Sequence, residues 1–342
     1  MLSPEGIAEN FSVSKAFADG MVVAKEKPVR VSGRGEGRIV VRMAGRKAVC
    51  DAAGGEWEAV LPAMKAGGPY RMVIRHGNER TVIRDVYVGT VLVMAGQSNI
   101  QFKLKESSSD PATWVSDPLL RSFSLPRIEK GEPYTPDDGW IRCEKEDAGN
   151  WSAIGYLTAQ NLRRRNPREA VGIINCYQGA SVIESWIPAE RLQKDIYRLP
   201  EEQIYRDHQV YRQWNADGQL FDYALGAIVP FAVSHVVWYQ GESNTGSGEP
   251  AIYPLLAREL VLSWREAFKD ESLRFTVVQI ANLRSRAGNA GWKGIQEAQM
   301  RIPSLVTGVK VVRSADVCED DDIHPRTKDA LSERIAETIA TW

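Results

Sequence analysis

The chain has 342 residues, with 43 Lys plus Arg against 44 Asp plus Glu and a formal net charge of -1. That length buries a substantial core and fits about two domains of roughly 150 residues each, while the balanced charge excludes a global field that would draw the chain to nucleic acid or an anionic membrane. Cys50, Cys143, Cys176 and Cys318 form neither a CxxC pair nor a zinc-type spacing, which argues against a disulfide framework and for free, mostly buried thiols.

The N-terminal stretch MLSPEGIAENFSVSKAFADG has no basic segment leading into an apolar one, and no stretch approaches the roughly 20 apolar residues that span a bilayer. A cytoplasmic location is expected, or a secreted or periplasmic one if a leader has been removed. From about Phe17 to Asp85 short apolar runs alternate with turn residues, as in RIVVRM and YRMVIR with GG and GN between. This predicts antiparallel strands in a small N-terminal β-sandwich over residues 1–87.

After Gly89 compact apolar runs follow one another: VLVMA (91–95), AVGIINC (170–176), HVVWYQ (235–240), RFTVVQIA (274–281) and LVTGVKVV (305–312). Between or after them SAIGYLTAQNLRRR, AIYPLLARELVLSWREAF and TKDALSERIAETIATW repeat apolar residues every three or four positions, as helices do. Strands buried on both faces and alternating with helices predict an α/β domain over 88–342, a doubly wound parallel sheet with helices on both faces. Residues 103–150 read as long loops with one short strand near 121–125.

In such sheets ligands bind beyond the carboxyl ends of the strands. Four of those exits are polar: GQSN, YQGASVIESW, QGESN and DVCEDDDIHP. Ser98 in the first is a candidate nucleophile with backbone N–H groups beside it. Alternatively Ser98 and Asn99 only cap the next turn. The GxSxG elbow of common serine hydrolases is absent.

A serine needs a base, and the histidines are His76, His208, His235 and His324. Only His324 stands at a strand exit, with Asp321 and Asp322 three and two residues before it to orient the ring, and Pro325 suits the first turn of the C-terminal helix. The same acidic run also reads as a solvated loop with a capping Asp, and no second histidine has ligand spacing with His324 for a metal.

Gly179 lets a backbone N–H approach a ligand, and Gln240 and Asn244 are neutral amide donors suited to an oxyanion. Against that, Gly179 reads equally as a turn glycine and Gln240 as a partner for backbone groups at the sheet edge. Ser243 is a weaker rival nucleophile, without the compact strand-to-serine step. Glu184, Trp186, Glu242, Trp238 and Tyr239 are candidates to wall a pocket on which a sugar face stacks, or else ordinary residues at the core's edge.

The order of serine motif, glycine loop, amide-donor loop and Asp-x-x-His resembles the SGNH hydrolase superfamily. The words GQSN, IESW, WYQGES and DIHP are similar to its sialate O-acetylesterase branch, and FADGMVVAKEKPVRVSG and IRDVYVGTVLVMAGQSN extend the resemblance over nearly the whole chain. The resemblance implies a flavodoxin-like catalytic sheet behind a jelly-roll-like β domain. It further implies Ser98 as nucleophile, His324 as base and Asp321 as the orienting acid, with Asp322 as runner-up and a Ser-His dyad also open. The oxyanion donors are then the N–H groups of Ser98 and Gly179 with Gln240, or Asn244 in second place, and Gln97, Asn99, Glu184, Trp186 and Glu242 line the substrate pocket. The expected activity is removal of O-acetyl groups from sugar, O-acetylated sialic acid first, acetylxylan or another glycan second, by a monomer or homodimer without metal or organic cofactor. A carbohydrate-binding protein with a decayed hydrolase site is the alternative of another class.

Overall fold

Period-two alternation builds the first part of the chain. A computed structural model describes residues 11–129, 132–199 and 203–342. The first ten residues, half of the stretch searched for a leader, lie outside the described residues. Strands β1 (Ser12–Val13), β2 (Val22–Ala24), β3 (Val29–Arg34), β4 (Gly37–Met43), β5 (Arg46–Ala52), β6 (Glu56–Leu61) and β7 (Gly67–His76) follow in order. Strands β1, β3 and β6 pair antiparallel in one sheet, and β5, β4 and β7 in a second. In β4, Ile39, Val41 and Met43 are buried while Arg38 and Arg42 face water. The β4–β5 hairpin turns on Ala44 and Gly45, with φ of 49° and 74°, the left-handed pair that matches strand twist in a two-residue turn.

The next strand, β8 (Glu79–Gly96), is 18 residues long. It pairs antiparallel with β7, then parallel with β2 at Tyr87–Gly89, and from Thr90 onward enters the parallel sheet. The boundary expected at 87/88 falls inside this strand, so sheet hydrogen bonding runs unbroken across it.

The remainder comprises α1 (Ser98–Gln101), β9 (Asp117–Ser124), β10 (Arg127–Glu129), β11 (Glu132–Tyr134), β12 (Ile141–Cys143), α2 (Lys145–Ala148), α3 (Ala153–Arg165) and β13 (Val171–Tyr177). Then come α4 (Ile204–Asp207), α5 (Gln219–Tyr223), β14 (His235–Tyr239), α6 (Glu249–Ala267), β15 (Arg274–Val278), α7 (Ala290–Leu305), β16 (Val309–Val312) and α8 (Asp329–Ala340). The order β13-β8-β14-β15-β16 is parallel throughout, with β9 parallel outside β13 and β12 antiparallel at that edge. Counted from β8, the five central strands run 2-1-3-4-5, the flavodoxin-like order with its switch point at the end of the first strand.

Helix α3 packs on α8, and α6 on α7. The central strands are accordingly apolar without alternation: Val91 to Ala95 are all fully buried, each Val or Leu contributing about 2 kcal/mol by leaving water. Three boundaries differ from the sequence expectation. The strand expected at 121–125 is β9, which begins at Asp117, and the stretch 103–150 read as loops with one strand also holds β10, β11, β12 and α2. Leu305 ends α7, whose last turn contains Pro303, and Gly308 at φ 72° makes the turn before β16, so LVTGVKVV is only half strand. Helix α8 begins at Asp329, leaving Pro325 in the preceding loop rather than in the first turn.

Candidate active site

A buried strand that ends beside two neighbours needs a residue without a side chain at its exit. Gly96 has φ 133°, and a Cβ there would stand 2.1 Å from the Tyr239 carbonyl oxygen of β14. Gln97 N–H donates to that carbonyl at 3.1 Å and Gln178 N–H donates to the Gly96 carbonyl at 3.0 Å. The three central strands therefore end level, and α1 starts at Ser98.

Ser98 does not cap α1, whose N-terminus has no side-chain cap. Its Oγ lies 2.8 Å from Nε2 of His324, two residues 226 positions apart that the sheet's topology brings together. The other histidines are elsewhere: His76 meets the Glu36 carbonyl, and His235 is buried against Thr276 at the start of β14. Burial pushes His235 down to about 3. Burial also lowers the pKa of His324, aided by the Lys328 ammonium and opposed by the Asp322 and Glu106 carboxylates. A neutral imidazole beside a serine hydroxyl is the proton acceptor a nucleophile requires.

The acid behind the histidine is not where Asp-x-x-His spacing put it. Asp321 is exposed and makes no hydrogen bond to His324, whereas Asp322 Oδ1 accepts from the His324 backbone N–H at 2.9 Å. Among the described residues Nδ1 of His324 has no hydrogen-bond partner, so the pair stands as a dyad with Asp322 bracing the loop. A charged acceptor is worth about 1 kcal/mol more than a neutral one, about fivefold in rate. Asp322→Asn is therefore expected to lower kcat/KM about fivefold, and Asp321→Asn to leave it unchanged, in initial-rate assays on an aryl acetate.

Gly179 flanks the serine: a Cβ on it would lie 3.9 Å from Ser98 Cβ and 3.3 Å from Gln101 Oε1. Its N–H and that of Ser98 have no acceptor among the described residues. Both backbone amides near the serine are thus uncommitted, as donors to a developing oxyanion must be.

The side-chain amides expected to complete it are committed elsewhere. Gln240 is fully buried, and Nε2 donates to the Ser181 carbonyl at 3.0 Å and to Asn244 Oδ1 at 2.7 Å. Asn244 Nδ2 donates to Glu184 Oε2 at 3.0 Å and Glu249 Oε1 at 3.2 Å. Neither has a hydrogen left for an oxyanion; both tie the β14 loop to the β13 loop. Burial raises the Glu184 pKa, and burial with the neighbouring Glu184 carboxylate pushes Glu249 up to about 7.

The expected aromatic pocket wall is also core. Trp186, Trp238 and Tyr239 are buried, with the Trp186 and Trp238 rings edge-on at 6.0 Å, and Trp186 Nε1 donates to Ser181 Oγ. Glu242 is buried as well, and Glu184, though buried, lines a cavity with Tyr197, Arg206 and Asp217. Gln97, also buried, accepts from Gly241 N–H at 3.3 Å and Ser243 N–H at 3.2 Å, binding the β8 and β14 exits together. Ser243 is itself buried with its hydroxyl unpartnered, and no histidine reaches it.

Asn99 is a clamp rather than a pocket residue. Its Nδ2 donates to Glu242 Oε1 at 2.6 Å and to the Ile323 carbonyl at 3.0 Å, while its Oδ1 accepts from Lys328 Nζ at 2.9 Å. Phe102 stacks on the His324 ring with centroids 6.1 Å apart. Lys328 and Phe102 were missed by sequence reasoning: a lysine at a helix start reads as solvated, and only its place four residues after the histidine pointed to the site.

The model of the family described as carbohydrate esterase, sialic acid-specific acetylesterase, matches residues 88–341. The chain belongs to this family. Human sialate O-acetylesterase is 24% identical over 316 residues, covering 82% of this chain and 59% of its own length. The rat enzyme of the same name is 24% identical over 339 residues, covering 82% and 62%. The chain thus spans about three fifths of the curated relatives it matches. Among solved structures, a carbohydrate acetylesterase from Xanthomonas citri is 28% identical with a TM-score of 0.82, over 96% of this chain and 74% of that one. The family match begins at residue 88, within β8, so it leaves out most of the N-terminal strands.

Proposed function

We propose that the protein is a serine esterase that removes O-acetyl groups from carbohydrate, O-acetylated sialic acid first, through an acetyl-enzyme on Ser98. The observation that carries this reading is the 2.8 Å contact of Ser98 Oγ with His324 Nε2 at the sheet's switch point, in a chain of a carbohydrate esterase family. Ser98 Oγ attacks the acetyl carbonyl carbon while its proton passes to Nε2. The Ser98 and Gly179 N–H groups receive the charge on the carbonyl oxygen. The imidazolium then gives its proton to the departing sugar oxygen, and water, deprotonated by the same nitrogen, splits the acetyl-enzyme into acetate and free serine. In this reading the N-terminal strands form a jelly-roll-like sandwich that braces the catalytic sheet through β8.

A second substrate reading, an acetylated plant glycan, draws support from the Xanthomonas citri relative, whose description names carbohydrate without naming sialic acid. Acetate release measured in parallel on O-acetylated sialic acid and acetylxylan separates the two. The expected result is release from the sialic acid substrate at the higher kcat/KM. Exclusive release from xylan would move the substrate assignment, and release from neither, nor from an aryl acetate, would overturn the esterase reading itself.

A further inference from the structure

Lys328 is fully buried, a rare place for a lysine. Its ammonium has one hydrogen bond, to Asn99 Oδ1, and lies 5.2 Å from the centre of the Phe102 ring and 5.7 Å from that of Tyr239. The Phe102 ring in turn stacks on His324. On the other side of Asn99 stands Glu242, buried, with Oε1 accepting from Asn99 Nδ2 and Oε2 unpartnered. A cation on the oxygen and an accepting carboxyl oxygen on the nitrogen leave the Asn99 amide a single orientation. In that orientation its remaining hydrogen reaches the Ile323 carbonyl, one residue before the histidine.

We propose that Lys328 is a positioning residue for the esterase reaction: through the Asn99 amide it holds the His324 loop against Ser98, and its buried ammonium disfavours a second positive charge on the imidazole. Burying a charge costs desolvation that a neutral side chain would not. The lysine's use is therefore sought in what its charge acts on. Ser98 Oγ and the Phe102 ring contact the imidazole, and the charges that act on it are those of Asp322, Lys328 and Glu106. Two are carboxylates that favour the imidazolium, and Lys328 is the cation that opposes them. Lys328 is itself lowered to about 8 by burial, against the pull of Cys318, Glu242, Glu319 and Asp322, so it is charged through the range in which the histidine titrates.

The proposal rests on the esterase reading for its kinetic consequence but not for its electrostatic one, and the test keeps them apart. Lys328→Met and the pair Lys328→Met with Glu242→Gln are compared with wild type. One arm follows the His324 imidazole by NMR titration, the other the pH profile of kcat/KM on an aryl acetate. Removing the cation raises the imidazole's midpoint by about half a pH unit or more, so the acid limb of the profile moves to higher pH and the loss at pH 6 exceeds that at pH 8. Both variants show it, because Glu242 does not face the imidazole, and the pair removes the unmatched buried carboxylate that destabilises the single variant. An unmoved midpoint in both, or a return to the wild-type midpoint in the pair, overturns the proposal. So does failure of both to fold, which would make Lys328 a packing element only. Absence of turnover in wild type alongside a shifted midpoint refutes the esterase reading and leaves the positioning assignment standing.

Discussion

Ser98→Ala is expected to lower kcat on an aryl acetate by about 10⁴-fold or more, with the fold intact. The hydroxyl's one hydrogen bond is to His324, at 2.8 Å, so its loss costs about 1 kcal/mol of stability. In the proposed mechanism it removes the atom that attacks the acetyl carbonyl. What remains, the free N–H groups of Ser98 and Gly179, polarises a carbonyl without a nucleophile and supplies only the residual acceleration that oxyanion donors give alone. The measurement is steady-state turnover of purified protein, paired with fluorophosphonate labelling, which wild type accepts at Ser98 and the variant refuses. Turnover near wild type in the variant would mean that another group carries the reaction. The buried Ser243 has no base in reach, so such a result would overturn the serine mechanism as a whole. His324→Ala should fall nearly as far, and the double variant no further, because two residues that act as a unit are not additive.

The two residues of the serine–histidine contact were legible because topology leaves a mark in sequence. Unbroken apolar runs such as VLVMA announce strands covered on both faces, and the polar residues that interrupt them fall at one end of the sheet. Ser98 and His324 could be placed on that common edge from pattern alone. Hydrogen-bond allegiance leaves no such mark. Gln240 and Asn244 are the right chemical type for an oxyanion donor, yet each spends both amide hydrogens on Ser181, Asn244, Glu184 and Glu249. A buried amide takes whichever acceptors the fold brings, and two of these four, Ser181 and Glu184, come from the β13 loop some 60 positions away. Burial of Trp186 and Lys328 was illegible for a related reason. Periodicity says which face of an element is apolar, and these residues stand in short turns or just before a helix, where no period operates. The course of β8 escaped too, because its first half alternates and its second does not, so one strand reads as two kinds.

Gly96→Ala should cost on the order of 4 kcal/mol of stability. Two costs combine there. The backbone is held at φ 133°, a region open to glycine and strained for any residue with a Cβ. The added carbon would also stand 2.1 Å from the Tyr239 carbonyl oxygen, which accepts the Gln97 N–H and cannot retreat without unpairing the ends of β8 and β14. Gly45→Ala separates the terms, since Gly45 is left-handed at φ 74° with nothing within 4 Å of the new carbon. It should cost about 1–2 kcal/mol from conformation alone. Urea unfolding followed by fluorescence compares the two, and turnover of the folded fraction tells where the damage goes. In Gly96→Ala the strand exit that aims Ser98 at His324 is displaced, so the folded fraction loses activity as well. In Gly45→Ala activity per folded molecule is unchanged. Equal costs for the two variants would mean that β14 yields to the methyl, and that the level ends of the central strands are not what holds the serine in place.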